Sequence, residues 1–127
     1  MTVAILDTTV VIHIFRKDKA ALNWFAAQTN TLSITPITWM EVMVGVANKR
    51  VQADSLKLLR GFEMLYLTQA DMDWAMRQML THRLSHGVAI LDCFNASVAH
   101  RLKKPIYTHN IKHFRRLLPA MLVIKPY

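Results

Sequence analysis

Apolar and polar positions follow one another along this chain in short blocks, and the blocks mark out its elements. Val3-Ala4-Ile5-Leu6 is an apolar run closed by Asp7, the pattern of a buried strand. Thr8 or Thr9 can cap a following helix through Val11, Ile12 and Phe15. Asp18 can cap a second helix, with Leu22, Phe25 and Ala26 along its inner side. Leu32-Ser33-Ile34 reads as a second strand. Thr35-Pro36 then opens a helix running to about Asn48, because proline suits the first helical turn. A helix over 51–62 and a third strand over 64–67 come next. From Asp71 to Gly87 a long helix is predicted, with Trp74, Ala75, Met79, Leu80 and Leu84 on its apolar face. A further helix over 90–102 stops at Lys104-Pro105. Residues 106–108 and 121–124 supply a fourth and a fifth strand, with a helical turn over 113–118 between them.

Short apolar strands separated by helices favour a parallel sheet covered on both faces. The predicted fold is therefore α/β, a three-layer α/β/α sandwich with a mainly parallel sheet. Such sheets bind ligands beyond the carboxyl ends of their strands, near the point where strand order reverses. With 127 residues and no linker, repeat or low-complexity tract, residues 1–127 read as a single domain. The 53% apolar content excludes disorder, and no apolar run approaches the ~18 residues of a membrane span. Asp7 comes too early for the apolar stretch of a signal peptide, and the lone Cys93 can form no internal disulfide. These features place the chain in the cytoplasm, away from membranes.

Charge narrows the partners. Sixteen Lys and Arg face eight Asp and Glu, a formal net charge of +8. Asp92 is the last acid. After it come Arg101, Lys103, Lys104, Lys112, Arg115, Arg116 and Lys125, with His100, His109 and His113 among them. A one-signed stretch of this kind suits a polyanion such as nucleic acid, and equally a solubilising surface or an acidic protein partner.

Among the acids, Asp18, Asp54 and Asp71 fit helix starts, Asp73 a first turn and Glu63 an exposed position. Three others lie inside apolar sequence. Asp7 closes the first strand, where it reads either as a strand-to-helix cap or as a site residue. Glu41 sits in Trp39-Met40-Glu41-Val42-Met43-Val44, sharing a helical face with Ile37, Thr38, Val44 and Gly45. Its bland reading is a helix-edge carboxylate paired with a lysine such as Lys49. Asp92 follows Val88-Ala89-Ile90-Leu91, where it could serve the helix dipole, and Asn95 can share its face. Thr108-His109-Asn110 puts polar groups at the carboxyl end of the fourth strand. Three carboxylates brought together repel one another unless a hard cation such as Mg²⁺ joins them, with water completing its shell. Such an ion activates water and neutralises charge on a phosphodiester, which the surrounding lysines and arginines would hold.

In these residues the chain resembles the PIN-domain nucleases, and among them the VapC-type toxin ribonucleases of toxin–antitoxin pairs. Ile5-Leu6-Asp7-Thr8-Thr9-Val10 resembles the opening strand and its metal-binding aspartate. Ile37-Thr38-Trp39-Met40-Glu41-Val42 with Gly45 resembles the helix bearing the active-site glutamate. Ile90-Leu91-Asp92 with Ala96 and Ala99 resembles the second aspartate segment, and the 108–114 stretch resembles the late Thr-x-Asn-x-x-Asp-Phe segment. The resemblance spans nearly the whole chain. It implies a PIN-like fold, Mg²⁺- or Mn²⁺-dependent endoribonuclease activity, inhibition by a cognate antitoxin, and a homodimer. Asp7 and Asp92 would bind metal directly, Glu41 directly or through water, and Asn110 would hold a water. Thr8, Thr108, Lys112, Arg115 and Arg116 would contact RNA, single-stranded or looped, where backbone and bases are accessible. His113 stands where the family often has aspartate, and imidazole is a weaker ligand than carboxylate for a hard cation.

The rival expectation is a non-catalytic RNA- or protein-binding PIN-like module with a vestigial acidic site. A metal-dependent DNase or a phosphatase is a further alternative, although the phosphatase pattern needs an acid where Thr9 stands. The i,i+4 pairs His82/His86 and His109/His113 have zinc-like spacing but no glutamate beside them, and read as surface and site-edge histidines. Cys93 reads as an inert core thiol.

Overall fold

The computed structural model describes residues 4–127; Val3, predicted to begin the first strand, and the rest of the 1–3 segment lie outside the described residues. The elements run in order β1 Ala4–Leu6, α1 Thr8–Phe15, α2 Lys19–Ala26, β2 Leu32–Ile34, α3 Pro36–Val44, α4 Lys49–Leu59, β3 Glu63–Met64, α5 Gln69–His86, α6 Ile90–Leu102, β4 Ile106–Tyr107, α7 Ile111–Leu117 and β5 Val123–Ile124. A 3-10 turn over Ala120–Leu122 precedes the last strand. The strands form one sheet in the order β3-β2-β1-β4-β5, and every pairing is parallel. Ile5 registers with Ser33 on one side and Ile106 on the other. The central strands β1 and β2 are buried along their whole length, whereas Glu63 of β3 and Ile124 of β5, on the edge strands, reach solvent. Ile5, Ile106 and Val123 pack with α5, α6 and α7, while Ala4, Leu6, Leu32 and Ile34 pack with α1 to α4. This is the three-layer α/β/α sandwich.

Local chemistry explains the boundaries. Asp18 caps α2 by accepting from the Ala21 amide at 3.0 Å. The Thr35 hydroxyl accepts from the Thr38 amide at the start of α3, with Pro36 in the first turn. That helix stops at Gly45 and not near Asn48, because Asn48 is extended and caps α4 through the Val51 amide at 2.9 Å. Consequently α4 begins two residues before Val51, and Asp54, read as a helix start, lies exposed in its middle. The third strand is shorter and earlier than 64–67, so Leu65 and Leu67 pack from a loop. Thr68 caps α5 in a reciprocal box with Asp71, which starts the helix two residues ahead of Asp71 and places Asp73 beyond the first turn. Gly87 ends it at φ 65°, a left-handed conformation that favours glycine. The Ile90–Leu102 bounds match the sequence reading.

Two predicted apolar faces are corrected. On α2 the buried residue is Ala21, with Trp24 and Phe25 partly buried, while Leu22 and Ala26 face outward. On α5 the inner side is Asp71 and Ala75, flanked by Trp74 and Met79, whereas Leu80 and Leu84 are exposed. An ion pair sets this register, since Arg101 Nε of α6 donates to both oxygens of buried Asp71 at 2.9 and 3.0 Å. Leu80, Leu84, Met72, Met76, Ile90 and Leu91 consequently form an apolar surface over α5 and the start of α6.

Candidate active site

Strand order reverses about β1, so the crevice between the carboxyl ends of β1 and β4 is where this fold binds ligands. Asp7 stands there. Its amide donates to the Tyr107 carbonyl at 2.9 Å, which carries the sheet ladder one residue past β1 and fixes Asp7 beside Thr108. The backbone of Asp7 occupies the cap position of α1, yet its carboxylate makes no cap bond. Oδ2 accepts from the Thr108 hydroxyl at 2.8 Å, and Oδ1 accepts from Asn95 Nδ2 at 3.3 Å. The capping explanation for this aspartate therefore fails, as does capping by Thr8 or Thr9, which lie inside the helix. Asp7 is 5% exposed. Burial pushes its pKa above the ordinary carboxylate value, against the opposing pull of Thr108, the Thr8 backbone, Asn95 and His109.

Glu41 lies one helical turn beyond Thr38 on α3. The Thr8 hydroxyl donates to its Oε1 at 2.6 Å and lies 3.1 Å from the Thr38 hydroxyl. Because Thr8 gives its proton to the carboxylate, Thr38 must donate to Thr8. Thr38 itself accepts from Asn95 Nδ2 at 3.3 Å. Fully buried Asn95 thus starts two routes, one to Asp7 and one through Thr38 and Thr8 to Glu41. Its Oδ1 accepts from Thr35, so the amide is bonded through both its nitrogen and its oxygen. The alternative pairing of Glu41 with Lys49 is not formed.

Asp92 is in the first turn of α6 with 15% of its side chain exposed. Its Oδ2 accepts from Asn110 Nδ2 at 2.8 Å, and His113 Nδ1 lies 3.5 Å away. Asn110 Nδ2 is also 3.1 Å from His113 Nδ1, and its backbone amide donates to Thr108 Oγ1 at 2.9 Å. The Asp92 pKa is raised to about 6, by burial first and then by the charge of Asp7, with Glu41 adding to the push and His113 opposing it.

Asp7, Glu41 and Asp92 are therefore near enough to feel one another, and among the described residues no lysine or arginine pairs with any of them. Asp71 shows the contrast, since that buried acid has its arginine. A hard cation suits this donor set, which offers carboxylate oxygens and the Asn110 amide oxygen. Among the described residues no three Asp, Glu, His or Cys side chains stand close enough to grip an ion by themselves. Magnesium does not need that arrangement, because it commonly takes one or two carboxylates and keeps several waters.

The remaining predicted residues divide by exposure. Thr8 and Thr108 are buried beneath the acids, each hydroxyl donated to a carboxylate. Lys112, Arg115 and Arg116 are exposed on α7 and line one surface hollow with Ile111. His109 and His113 part company: His113 faces Asp92, whereas His109 packs its ring 4.6 Å from Tyr127 and 5.4 Å from His13. The buried Cys93 thiol is pushed up to about 11 by burial and by Asp92, which suits its inert role. Sequence reasoning left out Thr35 and gave Asn95 no central place. The available signal was the one used for Glu41, a polar side chain set among Phe94, Ala96, Val98 and Ala99.

Comparison with known proteins accords with this geometry. Residues 4–117 match the model of the PIN domain. A toxin–antitoxin complex from Klebsiella pneumoniae contains a chain 25% identical to this one, with 98% of each chain covered and a TM-score of 0.79. DNA-bound VapBC from Salmonella typhimurium is similar at 22% identity, 98% coverage of each chain and a TM-score of 0.81. VapBC2 from Rickettsia felis, bound to a DNA fragment from its promoter, gives 22%, 98% of each chain and 0.78. No curated protein matches by sequence.

Proposed function

The chain belongs to the PIN-domain family, and from that premise we propose that it is a divalent-metal-dependent endoribonuclease, the toxin of a type II toxin–antitoxin pair. The observation that carries this reading is Asp7. It is a buried carboxylate at the strand-order switch, making no side-chain cap bond to the helix it precedes, raised in pKa by burial and, among the described residues, without a lysine or arginine partner. A protein gains nothing in stability from such a group unless something positive joins it.

Asp7 and Asp92 would hold Mg²⁺ or Mn²⁺ directly, and Glu41 directly or through water. When bound, the ion supplies positive charge at the phosphodiester and acidifies the attacking water. The chain's own groups do the rest. Thr108 and Asn95 fix both oxygens of Asp7, and Thr8 fixes one oxygen of Glu41, leaving the other to orient a water. Asn110 commits its amide nitrogen to Asp92 and keeps its oxygen for a water. Lys112, Arg115 and Arg116 are exposed on α7, the helix whose His113 reaches Asp92, and would hold RNA phosphates beyond the cut. Thr8 and Thr108 act on substrate through the carboxylates they orient. The RNA class is single-stranded or looped, and the site of action is the cytoplasm.

The partners follow from the same reading. A cognate antitoxin is supported by the toxin–antitoxin complexes among similar structures. A homodimer is supported by the apolar surface of Met76, Leu80, Leu84 and Ile90, which a second copy would cover. The rival reading, a binding module with a vestigial acidic site, draws on the absence of three closely grouped ligands among the described residues. Calorimetry with Mn²⁺ separates the two: the nuclease reading requires a site that Asp92→Asn removes, and the module reading requires none.

A further inference from the structure

We infer that His82 and His86 of α5 join Lys112 and Arg116 of α7 in a phosphate track, whose hold on single-stranded RNA tightens as the two imidazoles take up protons. The inference rests on the nuclease reading and adds where the substrate strand runs beyond the acidic crevice.

Helical spacing sets the imidazoles on the inner side of α5. Ala75, Met79, His82 and His86 recur at intervals of four, three and four residues, so they share one stripe. Ala75 is buried, and Met79 packs in the same cluster as Ile111 of α7. His82 and His86 continue the stripe half-buried, with their rings 5.8 Å apart. Leu80 and Leu84 lie on the opposite side of the helix, so the apolar surface and the imidazoles are separate faces.

The cations come from α7. Lys112 and Arg116 are one helical turn apart, exposed, and line the same surface hollow. Their charges reach His86, whose pKa is lowered by desolvation first and then by Arg116, His82 and Lys112. All three of those neighbours are basic. Arg83, on the same helix, spends its guanidinium on the Gly87 and Val88 carbonyls. The Ser85 hydroxyl, 2.8 Å from His86 Nδ1, suits either state of the ring because a hydroxyl both donates and accepts. Among the described residues none of the four track residues has an acidic partner.

Like charges gathered in this way repel, and a polyanion relieves the repulsion. Position favours RNA as that polyanion. Asn110 and His113, which flank Lys112 on α7 and its cap, reach Asp92, so a strand lying in the acidic crevice meets the track next. An acidic protein partner is not tied to that starting point. A bound phosphate favours the charged imidazole, so strand and proton bind cooperatively. The gain is complete below the free-state pKa of the rings and is lost as pH rises through the higher pKa of the bound state.

The test is binding of a fluorescent oligouridylate to the full chain, read by anisotropy in EDTA across a range of salt at pH 5.5 and pH 8. On a single strand each neutralised phosphate adds about 0.7 to the slope of log affinity against log salt. The slope is expected to be steeper at pH 5.5 by about 0.7 to 1.4, the share of one to two imidazoles. In His82→Gln/His86→Gln, shown to be folded by circular dichroism, that increment is expected to fall by at least half while the slope at pH 8 is kept. Equal slopes at both pH values on the unchanged chain would overturn the inference, as would an increment that persists in full in the folded double variant. Binding of polyglutamate but of oligouridylate at neither pH would also overturn it and give the face to an acidic protein. The nuclease reading stands or falls on a different readout, Mn²⁺-dependent cutting at pH 8, which the double variant is expected to retain.

Discussion

The Thr108 hydroxyl donates to Asp7 Oδ2 at 2.8 Å, joining two residues 101 positions apart in the sequence. The Thr108 hydroxyl oxygen in turn accepts from the Asn110 backbone amide at 2.9 Å. One buried hydroxyl thus fixes the end of β1 and the loop that reaches Asp92. In Thr108→Val the shape is kept and the donor lost. The expected cost is about 1–3 kcal/mol of stability, since a buried carboxylate oxygen and an amide lose their partner. Urea unfolding measures it, and Mn²⁺ affinity is expected to fall in the same variant.

Asn95 is the second tie. Asn95→Leu fills the volume but leaves Asp7, Thr38 and Thr35 each short of a partner. The loss is expected to exceed that of Thr108→Val, as three polar groups are orphaned instead of two. Urea midpoints for the two variants side by side decide the order.

Acidity gives a further outcome. The folded pKa of Asp92 is about 6 and that of Asp7 is also raised, against an ordinary value of 3.8. Below the unfolded value both states are protonated at these groups. As pH rises toward 6 the unfolded chain ionises first, so the stability these groups contribute is lost across that window and stays lost above it. Metal-free protein is expected to unfold at lower temperature at pH 7.5 than at pH 5, with Asp92→Asn flattening the difference. Added Mn²⁺ is expected to stabilise more at pH 7.5 than at pH 5, because protons compete for the same carboxylates.

The α5 surface predicts an assembly. Leu80→Glu with Leu84→Lys places charges where the apolar patch is most exposed. Sedimentation is expected to show a dimer for the unchanged chain and a monomer for the double variant, with Mn²⁺ binding retained.

Much of this was legible because strands and caps are local. Leu32-Ser33-Ile34 is bounded by polar residues, and Ile90–Leu102 ends before Lys104-Pro105, so both elements lie where their sequences put them. The end of α3 was misplaced because Asn48 serves the next helix, a competition that periodicity does not register. Leu80 and Leu84 read as core because an apolar stripe meant for another surface has the same spacing as one meant for the interior. What turned α5 was Asp71 reaching Arg101, thirty residues away.

The site divides in the same manner. Asp7, Glu41 and Asp92 stood out as charges set in apolar sequence, and the fold brings Asp7 and Glu41 near enough for their charges to act on Asp92. Their supports did not stand out. Asn95 meets Thr38 and Asp7 across 57 and 88 positions, separations at which no local pattern records a hydrogen bond.

The most direct test of the account is cleavage of a mixed RNA pool by the pure chain, with Mg²⁺ or Mn²⁺, with EDTA, and beside Asp7→Asn. The account predicts metal-dependent internal cuts that vanish with EDTA and in a folded Asp7→Asn. Cutting that persists at an unchanged rate in folded Asp7→Asn, or in EDTA, would contradict it.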